Sequence, residues 1–494
     1  MTQDAKRVIV IGSGPSGAMA ALTLVEQGLP VTMLESGRDV PDGFLIRAMG
    51  RNVFRRRPQP ADTNHDVKGA DAGATWVQSL VPGGLSNYWV GAAPRFSPDD
   101  FHEGERLHER YRWPLDYADL VPYYERVERL LRIVGDPHDV PNMPAPVVLQ
   151  GRELPGAWRK VATYAASVGH GLAPMPLADG PNWMWAHTGV GFNSYTHVVR
   201  QLQRRPNFDL RVGAHALRLE WDGHTRTVTS VVYRDRTSGC DTRLPAIAVV
   251  VAAGPLASTK LLLNSGCSDF PDGLGNVEGL LGRYLHEHPR QWFPLELQGG
   301  MLPRLAQAAY LTRSPAEEST PLLGAGCTIG FVSTQDKLRS LMPSQTNRFG
   351  VLIFGTMVPI AENQLRLHLS SRDEFGLPNL DVHIQYTPDE LQNMTAARTK
   401  LTSVLASAGY PCSVPKYMPD PVAGSSIHYG GTIRMHAAPH YGMLNAWNRL
   451  HAVANVVVAD ASAFTTGVEK NPTLTAMALA ARASERLACD LRAA

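Results

Sequence analysis

The sequence predicts an α/β fold, a Rossmann-like dinucleotide-binding domain with an inserted antiparallel-sheet substrate domain of α+β type. Near the N-terminus, a strand, a glycine-rich turn, a helix and a second strand follow one another within Arg7–Gly37, which is the order of a parallel βαβ unit. From Gln291 to about Pro388, apolar runs follow one another without the crossover helices that parallel strands need. This second pattern indicates an antiparallel sheet.

The first βαβ unit contains a dinucleotide-binding fingerprint. A β-branched run leads into Gly12-x-Gly14-x-x-Gly17, and the strand after the helix ends at Glu35. The glycines permit a tight turn and let the backbone approach a pyrophosphate at the helix N-terminus. Glu35 would accept hydrogen bonds from the adenosine ribose. Taken alone, the motif does not separate NAD from FAD, and a structural turn without ligand is the alternative.

The composition is that of a folded protein without a strongly charged partner. Of 494 residues, 44% are hydrophobic and 19% are charged, and the net charge is +2, so we expect neither a nucleic acid nor an anionic membrane as partner. The length predicts two domains or one complex domain. The five cysteines show no paired spacing, which predicts reduced thiols and no metal site. No signal peptide or membrane span is recognisable, so a soluble, cytoplasmic protein is expected.

Two further glycine-rich turns lie in the middle of the chain. The first, Val81–Gly91, reads VPGGLSNYWVG and would either wrap a phosphate-sized group or form an ordinary Ω-loop. In the second, a buried strand over 246–252 runs into Gly254 and a helix over 256–264. That turn suits close approach of the backbone to a cofactor, with a plain strand-to-helix connection as the alternative.

The remaining segments divide the chain into domains. Apolar spacing predicts an amphipathic helix over 113–131, a proline-rich linker over 136–148, antiparallel strands over 349–358, 364–369 and 380–386, and a helix over 388–408. We expect the dinucleotide-binding domain to comprise 1–100, 190–290 and 425–494, with cap helices and a linker over 101–189 and the substrate domain over 291–424.

The C-terminal stretch Ser425–Ala483 combines a histidine with a helix start. His428 precedes a Gly-Gly-Thr turn, and Asn471-Pro472 opens a helix of small residues. A histidine in a featureless context is usually a core or loop residue. The neighbouring motif makes His428 a candidate for chemistry.

Nearly the whole chain resembles one family, the glucose–methanol–choline (GMC) flavoenzymes. The resemblance rests on the N-terminal fingerprint, the two C-terminal blocks, and the segments PGGLSNYWVGAAPRF, WPLDYADLVPYYERVE, VAAGPLASTKLLLNSG, LLGRYLHEHP and DEFGLPNL, all in family order. The Gly-Gly-x-Ser-x-x-Trp loop and the Trp-Pro-Leu-x-Tyr helix are most similar to the pyranose oxidase and bacterial sugar dehydrogenase branch.

This resemblance implies that FAD is the cofactor. The residues implied to bind it are Gly12, Gly14, Gly17, Glu35, Gly83, Gly84, Ser86, Asn87, Ala216 (or Leu217), Gly254, Asp460, Ala461, Asn471, Pro472 and Thr473. Where pyranose oxidases have a histidine that bonds covalently to FAD, this chain has Tyr88, so we expect non-covalent FAD. Val90 replaces a threonine near the reactive flavin edge.

The resemblance also assigns the reacting pair. His428 matches the catalytic histidine and would be the general base, because imidazole is neutral near pH 7. Asn471 matches a position that is histidine or asparagine in the family and would hold the substrate hydroxyl. The expected reaction is oxidation of a CH–OH group of a sugar, glycoside or polyol, with molecular oxygen or another electron acceptor.

Two other activities stay open at this stage, and further residues are candidates for the substrate side. The family includes hydroxynitrile lyases that use the same histidine without redox turnover, and the chain would alternatively pass electrons to a separate protein partner. The segment with Trp183, Trp185 and His187 would line a substrate entrance or pack in the core. Four histidines keep a structural interpretation, namely His286, His288, His436 and His440.

Overall fold

Two β-sheets organise the part of the chain that the structure describes. The computed structural model describes residues 7–38, 65–68, 76–87, 89–178, 192–305, 307–313, 320–330 and 345–493. The first sheet is mostly parallel and the second is antiparallel throughout its pairs. This combination confirms the predicted fold class.

The first sheet has seven strands and a parallel core. Arg7–Ile11 lies between Val31–Glu35 and the second half of Asp241–Val251, and it is parallel to both. The first half of Asp241–Val251 instead forms an antiparallel pair with Thr227–Asp235. The sheet is completed by Phe208–Val212 beside Val31–Glu35, by Ala214–Asp222 beside Thr227–Asp235, and by Val456–Val458 beside Asp241–Val251.

Helices rich in alanine cover this sheet. Pro15–Glu26 packs against the C-terminal helix Thr473–Ala493, which also contacts Tyr117–Leu131. Small side chains at these contacts let the helix axes approach closely. The strands and helices share one hydrophobic core that contains fully buried Val8, Ile9 and Met477.

The second sheet has six strands, and helices cover one of its faces. Its order is Cys412–Ser413, Arg290–Leu297, Arg348–Gly355, Ala325–Ile329, Ala309–Leu311 and Leu172–Pro174. The helices Gly156–Ser167 and Pro388–Ser407 pack on one face, where Trp158, Phe293 and Leu401 form a separate core. The other face turns away from these helices.

The sequence-based grouping of strands was wrong in one respect. The runs at 364–369 and 380–386 were expected in one antiparallel sheet with 349–358. They form the strands Gln364–Arg372 and Pro378–His383, which pair with each other in a separate three-stranded sheet, where the third strand, His65–Lys68, is parallel to Pro378–His383. Alternating apolar residues predict strands, and they do not identify the partner of each strand.

The predicted domain segments contribute to the two sheets unequally. The first sheet takes all its strands from 1–100, 190–290 and 425–494. The segment 101–189 contributes to both regions, since Tyr117–Leu131 packs with the first sheet's helices while Leu172–Pro174 joins the second sheet. The boundaries themselves remain a prediction.

Shorter elements complete the fold. They are the helices Pro98–Leu107, Arg200–Leu202 and Pro255–Leu263, the 3-10 turns Gly84–Asn87, Glu109–Tyr111 and Ala461–Ala463, the π-helical turn Tyr195–Val199, and the strand pairs Leu302–Pro303 with Gln345–Thr346 and Val134–Gly135 with Gln150–Gly151. Across the described ranges, none of the helices combines the length and apolar character that crossing a membrane requires.

Candidate active site

A cleft runs along the edge of the first sheet where its parallel strands end. Its walls come from the turns after Ile11, Glu35, Val251 and Val458, with further residues from Ala214–Ala216. Ligands of open α/β sheets bind at this edge. The cleft brings together seven of the residues implied to bind FAD, namely Gly12, Gly14, Glu35, Gly84, Ala216, Gly254 and Asp460.

Two fingerprint glycines are required by the packing of the chain itself. A Cβ atom on Gly12, whose φ is +100°, would lie 2.5 Å from the carbonyl oxygen of Ala252. A Cβ atom on Gly17 would lie 2.1 Å from the carbonyl oxygen of Gly12. Neither distance is possible, so both positions need glycine for the first strand, its helix and the neighbouring strand to pack.

Two other glycines open toward a ligand. A Cβ atom on Gly14 or Gly254 would meet no atom of the described residues within 4 Å, although both line the cleft. Gly14 precedes the helix Pro15–Glu26, which has no side-chain cap at its start. The first amide groups of a helix attract anions. The cleft therefore fits the pyrophosphate of a dinucleotide such as FAD.

Glu35 and Asp460 each accept hydrogen bonds from a turn that lines this cleft. Glu35 accepts hydrogen bonds from the Ser13 amide at 3.0 Å and the Ser13 hydroxyl at 2.5 Å. Asp460 accepts one from the Gly254 amide at 2.9 Å and one from the Ser258 hydroxyl at 2.5 Å. Burial raises the pKa of each carboxyl, and the hydrogen bonds oppose that shift. Each carboxylate thus fixes one glycine turn.

Sequence reasoning missed another part of the cleft wall. The His215 ring stacks on the Phe375 ring with centroids 3.7 Å apart, and burial lowers the pKa of His215 to about 3. Beside them, Lys260 Nζ lies 2.6 Å from Asp373 Oδ2. All four side chains line the cleft. DEFGLPNL was the available signal, since it contains Asp373 and Phe375, while nothing in the sequence singled out His215.

Several implied cofactor residues lie outside this wall and stabilise the loops around it. The Ser86 hydroxyl donates to the Gly83 carbonyl at 2.6 Å, and the Asn87 amide donates to the Gly84 carbonyl at 2.8 Å. These bonds fix the shape of the glycine-rich loop. Among the described residues, the cleft wall does not include Gly17, Gly83, Ser86, Asn87, Ala461, Asn471, Pro472 or Thr473. Tyr88, Trp183, Trp185 and His187 lie outside the described residues.

The structure brings His428 and Asn471 into contact. Asn471 Nδ2 lies 3.2 Å from His428 Nε2. An amide nitrogen only donates, so Nε2 accepts and the imidazole proton is on Nδ1. Tyr429, the residue after His428, lines the cleft. The pair therefore lies beside the dinucleotide site, with the basic nitrogen of His428 held by Asn471.

The surroundings of His428 keep its ring neutral. Its ring centroid lies 5.0 Å from that of His288 and 5.1 Å from that of Phe354. Burial, followed by the neighbouring His288 and Arg290, holds the pKa of His428 well below its usual value. Burial also lowers the pKa of His288 to about 4. His288, for which the sequence favoured a structural role, thus packs directly on the candidate base.

A buried carboxylate fixes the backbone in front of His428. The Ser426 hydroxyl donates to Glu287 at 2.5 Å and accepts from the His428 amide at 3.2 Å. Burial raises the pKa of Glu287 to about 7. Between Ser426 and His428, Ile427 has a φ of +62°, which is rare for a β-branched residue and occurs where surrounding contacts impose it.

Asn471 lies next to five buried charges, which we call the ionic cluster: Asp100, Glu103, Arg313, Glu469 and Lys470. Lys470 Nζ lies 2.7 Å from Asp100 and 3.0 Å from Glu469. Arg313 lies 2.9 Å from Asp100, 2.5 Å from Glu103 and 2.9 Å from Glu469. The ionic cluster connects the helix Pro98–Leu107, the residues just after the strand Ala309–Leu311 of the second sheet, and the segment that ends in Asn471.

Comparison with known proteins identifies the class to which this arrangement belongs. Models of the GMC oxidoreductase family match residues 79–290 and 361–480, and an FAD-binding domain model matches residues 5–53. The cleft and the adjoining histidine–asparagine pair thus define a flavoprotein oxidoreductase. The chain belongs to the GMC oxidoreductases, and it is an FAD-dependent enzyme that acts on CH–OH groups.

Individual relatives extend over nearly the whole chain. The 6'''-hydroxyparomomycin C oxidase of Streptomyces lividus is 31% identical, covering 98% of this chain and 92% of that protein. The paromamine 6'-oxidase of Streptomyces fradiae is 31% identical, covering 99% and 93%. The pyridoxine 4-oxidase structure from Mesorbium loti has a TM-score of 0.68 at 18% identity, covering 99% and 100%. That likeness supports the fold alone.

Proposed function

We propose that this enzyme oxidises a CH–OH group of a sugar or glycoside to the carbonyl, with His428 as the general base. The contact between His428 and Asn471 beside the dinucleotide cleft is the observation on which the proposal rests. The two Streptomyces relatives are named as oxidases of sugar-containing compounds. A C-glycoside 3-oxidase of Microbacterium trichothecenolyticum, 25% identical, adds a second kind of glycoside.

The proton of the substrate hydroxyl goes to His428. His428 Nε2 has a lone pair because the ring is neutral, and burial keeps it neutral over a wide pH range. The Asn471 amide, which donates to Nε2 at 3.2 Å, would donate to the substrate oxygen instead and hold it beside Nε2. Bound FAD supplies the acceptor for the carbinol hydrogen, which leaves as hydride.

The ionic cluster holds Asn471 in place during this step. Lys470, which precedes Asn471, donates hydrogen bonds to Asp100 and Glu469. These buried carboxylates anchor the start of the C-terminal helix. Buried ion pairs of this kind tolerate little displacement, because each unpaired charge is costly. Asn471 therefore keeps its distance from His428.

We further propose that FAD is held without a covalent bond, because Tyr88 stands where pyranose oxidases have the linking histidine. Acid precipitation of the purified enzyme is expected to release all flavin into the supernatant. Flavin that stays in the protein pellet would contradict this proposal.

An anaerobic substrate screen tests the proposed reaction. The oxidised enzyme is mixed with sugars, glycosides, simple alcohols and a cyanohydrin, and the flavin absorbance near its visible maximum is followed. We expect sugars or glycosides to bleach the flavin. A lyase would cleave the cyanohydrin while the flavin stays oxidised, and that result, without bleaching by any sugar, would overturn the proposal.

A further inference from the structure

One face of the second sheet is directed at the catalytic pair. In an antiparallel sheet, directly paired residues point to the same side. Phe354 is paired with Arg290 and with Gly326, and the Phe354 ring lies 5.1 Å from the His428 ring. The face that contains Arg290 is therefore the face toward His428, opposite the helix-covered core of Phe293.

A second row of side chains extends this face away from His428. Trp292 is paired with Leu352, Leu352 with Thr328, and Thr328 with Tyr310. Leu352 and Tyr310 are buried, whereas Trp292 is 47% exposed. The Trp292 indole is therefore an accessible aromatic surface two residues along the strand from Arg290.

Arg290 brings a positive charge next to the candidate base. Its Nη1 donates to the Ser425 carbonyl at 3.0 Å, and its charge is one of the causes that lower the pKa of His428. Within the described residues it forms no ion pair, and the nearby Glu287 acts on it through space. A guanidinium has five N–H donors, so further donors are available for a ligand.

We propose that Arg290 and Trp292 recognise the part of the substrate next to the reacting carbon, and that they select a hydroxylated or acidic sugar ring over one with an ammonium group there. This proposal rests on the proposed function, because it requires a sugar substrate. The Trp292 indole would stack on the apolar face of the ring, and Arg290 would donate to its hydroxyl or carboxylate oxygens.

The selectivity follows from charge. A guanidinium beside the reacting centre repels a substrate ammonium, and a partly buried site screens that repulsion less than water does. A hydroxyl at the same position accepts a hydrogen bond instead. The enzyme would thus combine attraction of one ring with repulsion of the other, and in this it would differ from the two Streptomyces relatives, which are named for aminoglycosides.

Matched sugar pairs test the proposal. The rate of anaerobic flavin reduction is measured at varied concentrations of D-glucose against D-glucosamine and of D-galactose against D-galactosamine. The wild-type enzyme is expected to react with the hydroxyl sugar about tenfold more efficiently or better. Arg290→Gln should bring the ratio close to one, and Arg290→Lys should keep the preference.

The variants separate this proposal from the proposed function. Arg348→Gln is the control, because Arg348 lies on the same sheet with an exposed side chain, and it should leave the ratio unchanged. Trp292→Ala should raise the half-saturating concentration of both sugars of a pair about tenfold, with little change in the limiting rate. Trp292→Phe should bring that concentration most of the way back to the wild-type value. Melting temperature and FAD content show that each variant is folded.

Distinct results overturn each proposal. A wild-type preference for the amino sugars, or an unchanged ratio in Arg290→Gln, would refute the role of Arg290 while leaving sugar oxidation intact. An unchanged half-saturating concentration in Trp292→Ala would refute the role of Trp292. If no sugar reduces the flavin of the folded enzyme, the proposed function fails, and the recognition proposal fails with it.

Discussion

The two members of the proposed catalytic pair, His428 and Asn471, have different kinds of surroundings. The rings of His288 and Phe354 pack against His428 and are uncharged, so one side of the proposed base borders a low-dielectric region. Behind Asn471 lies the ionic cluster, in which three carboxylates and two cations are almost completely excluded from solvent. The rings packed on the proposed base are neutral, although the Arg290 guanidinium lies near enough to lower its pKa, whereas the proposed positioning side chain follows a set of buried ion pairs.

The two proposed tasks, proton transfer and positioning of the substrate, place different demands on the surroundings of a side chain. A charge close to His428 shifts its pKa, as the Arg290 guanidinium does by lowering it, whereas a carboxylate there would raise it. The positioning amide does not titrate, so strong ion pairs next to it fix geometry without altering protonation. Asn471, which follows Lys470 of the ionic cluster, reaches the proposed base through the 3.2 Å distance between its Nδ2 atom and His428 Nε2.

The largest effect is expected from removal of the proposed base, His428. His428→Ala should retain FAD, because the residues that line the dinucleotide cleft are unchanged, but flavin reduction by substrate should slow by roughly a hundred- to ten-thousand-fold. Stopped-flow absorbance under anaerobic conditions measures this rate. The control is His224→Ala, on an exposed turn, which should reduce flavin at the wild-type rate. Unchanged kinetics in His428→Ala would exclude His428 as base.

Breaking the ionic cluster should affect stability and geometry together. Arg313→Met leaves Asp100, Glu103 and Glu469 with one cation among them, and loss of one partner from a buried ion pair costs about 3–5 kcal/mol. The free energy of unfolding, from urea denaturation, should fall by that amount. Arg348→Met removes an exposed arginine of the second sheet and should change the free energy of unfolding by less than about 1 kcal/mol. Equal effects would show that the cluster contributes no special stability.

Local sequence patterns were sufficient to predict the parts of the site that the chain forms over short distances. Gly12, Gly14 and Glu35 belong to one βαβ unit, and their arrangement follows from strand and helix geometry. His428 and Asn471 were identified through resemblance, and the structure places them in contact. The roles of individual site residues stay predictions until the variants are measured.

Contacts between segments that lie far apart in the sequence could not be predicted from sequence patterns. Arg313 meets Asp100 although 213 positions separate them, and no periodicity connects a residue after one strand with a helix so far away along the chain. The stack of His215 on Phe375 has the same origin. The strands Gln364–Arg372 and Pro378–His383 were recognised as strands but assigned to the wrong sheet, since alternation does not encode a partner.

A charge introduced into the pair itself should show how far His428 depends on the charges around it. Asn471→Asp places a carboxylate about where the amide lies, next to His428 Nε2, and an opposite charge favours the imidazolium form. The acid limb of the pH profile of flavin reduction should therefore move to higher pH than in the wild type. At neutral pH we expect a loss of about tenfold, because a hydrogen-bond donor to the substrate is removed. An acid limb at the same pH in both enzymes would show that the amide does not control the base.

The smallest effect concerns the neutral ring of His288 and its dependence on pH. In the folded protein burial holds the pKa of His288 at about 4, whereas an exposed histidine titrates near 6.5. The unfolded chain therefore binds the proton first, so the contribution of His288 to stability is complete above about pH 6.5 and is lost as the pH falls toward 4. Glu287, with a pKa raised to about 7, acts in the opposite sense, since its contribution weakens as pH rises from about 4.5 toward 7.

Comparison of two variants isolates the histidine from these opposing groups. His288→Asn should reduce the loss of unfolding free energy between pH 7 and pH 5 by on the order of 1 kcal/mol, because one group that protonates only on unfolding is gone. His224→Asn, which removes an exposed histidine, should leave the pH dependence of the wild type intact. The measurement is urea denaturation at the two pH values. If the unfolding free energy of His288→Asn falls between the two pH values by as much as that of the wild type, His288 is not a source of the acid sensitivity. The contrast between the neutral and ionic sides of the pair would then have no thermodynamic basis.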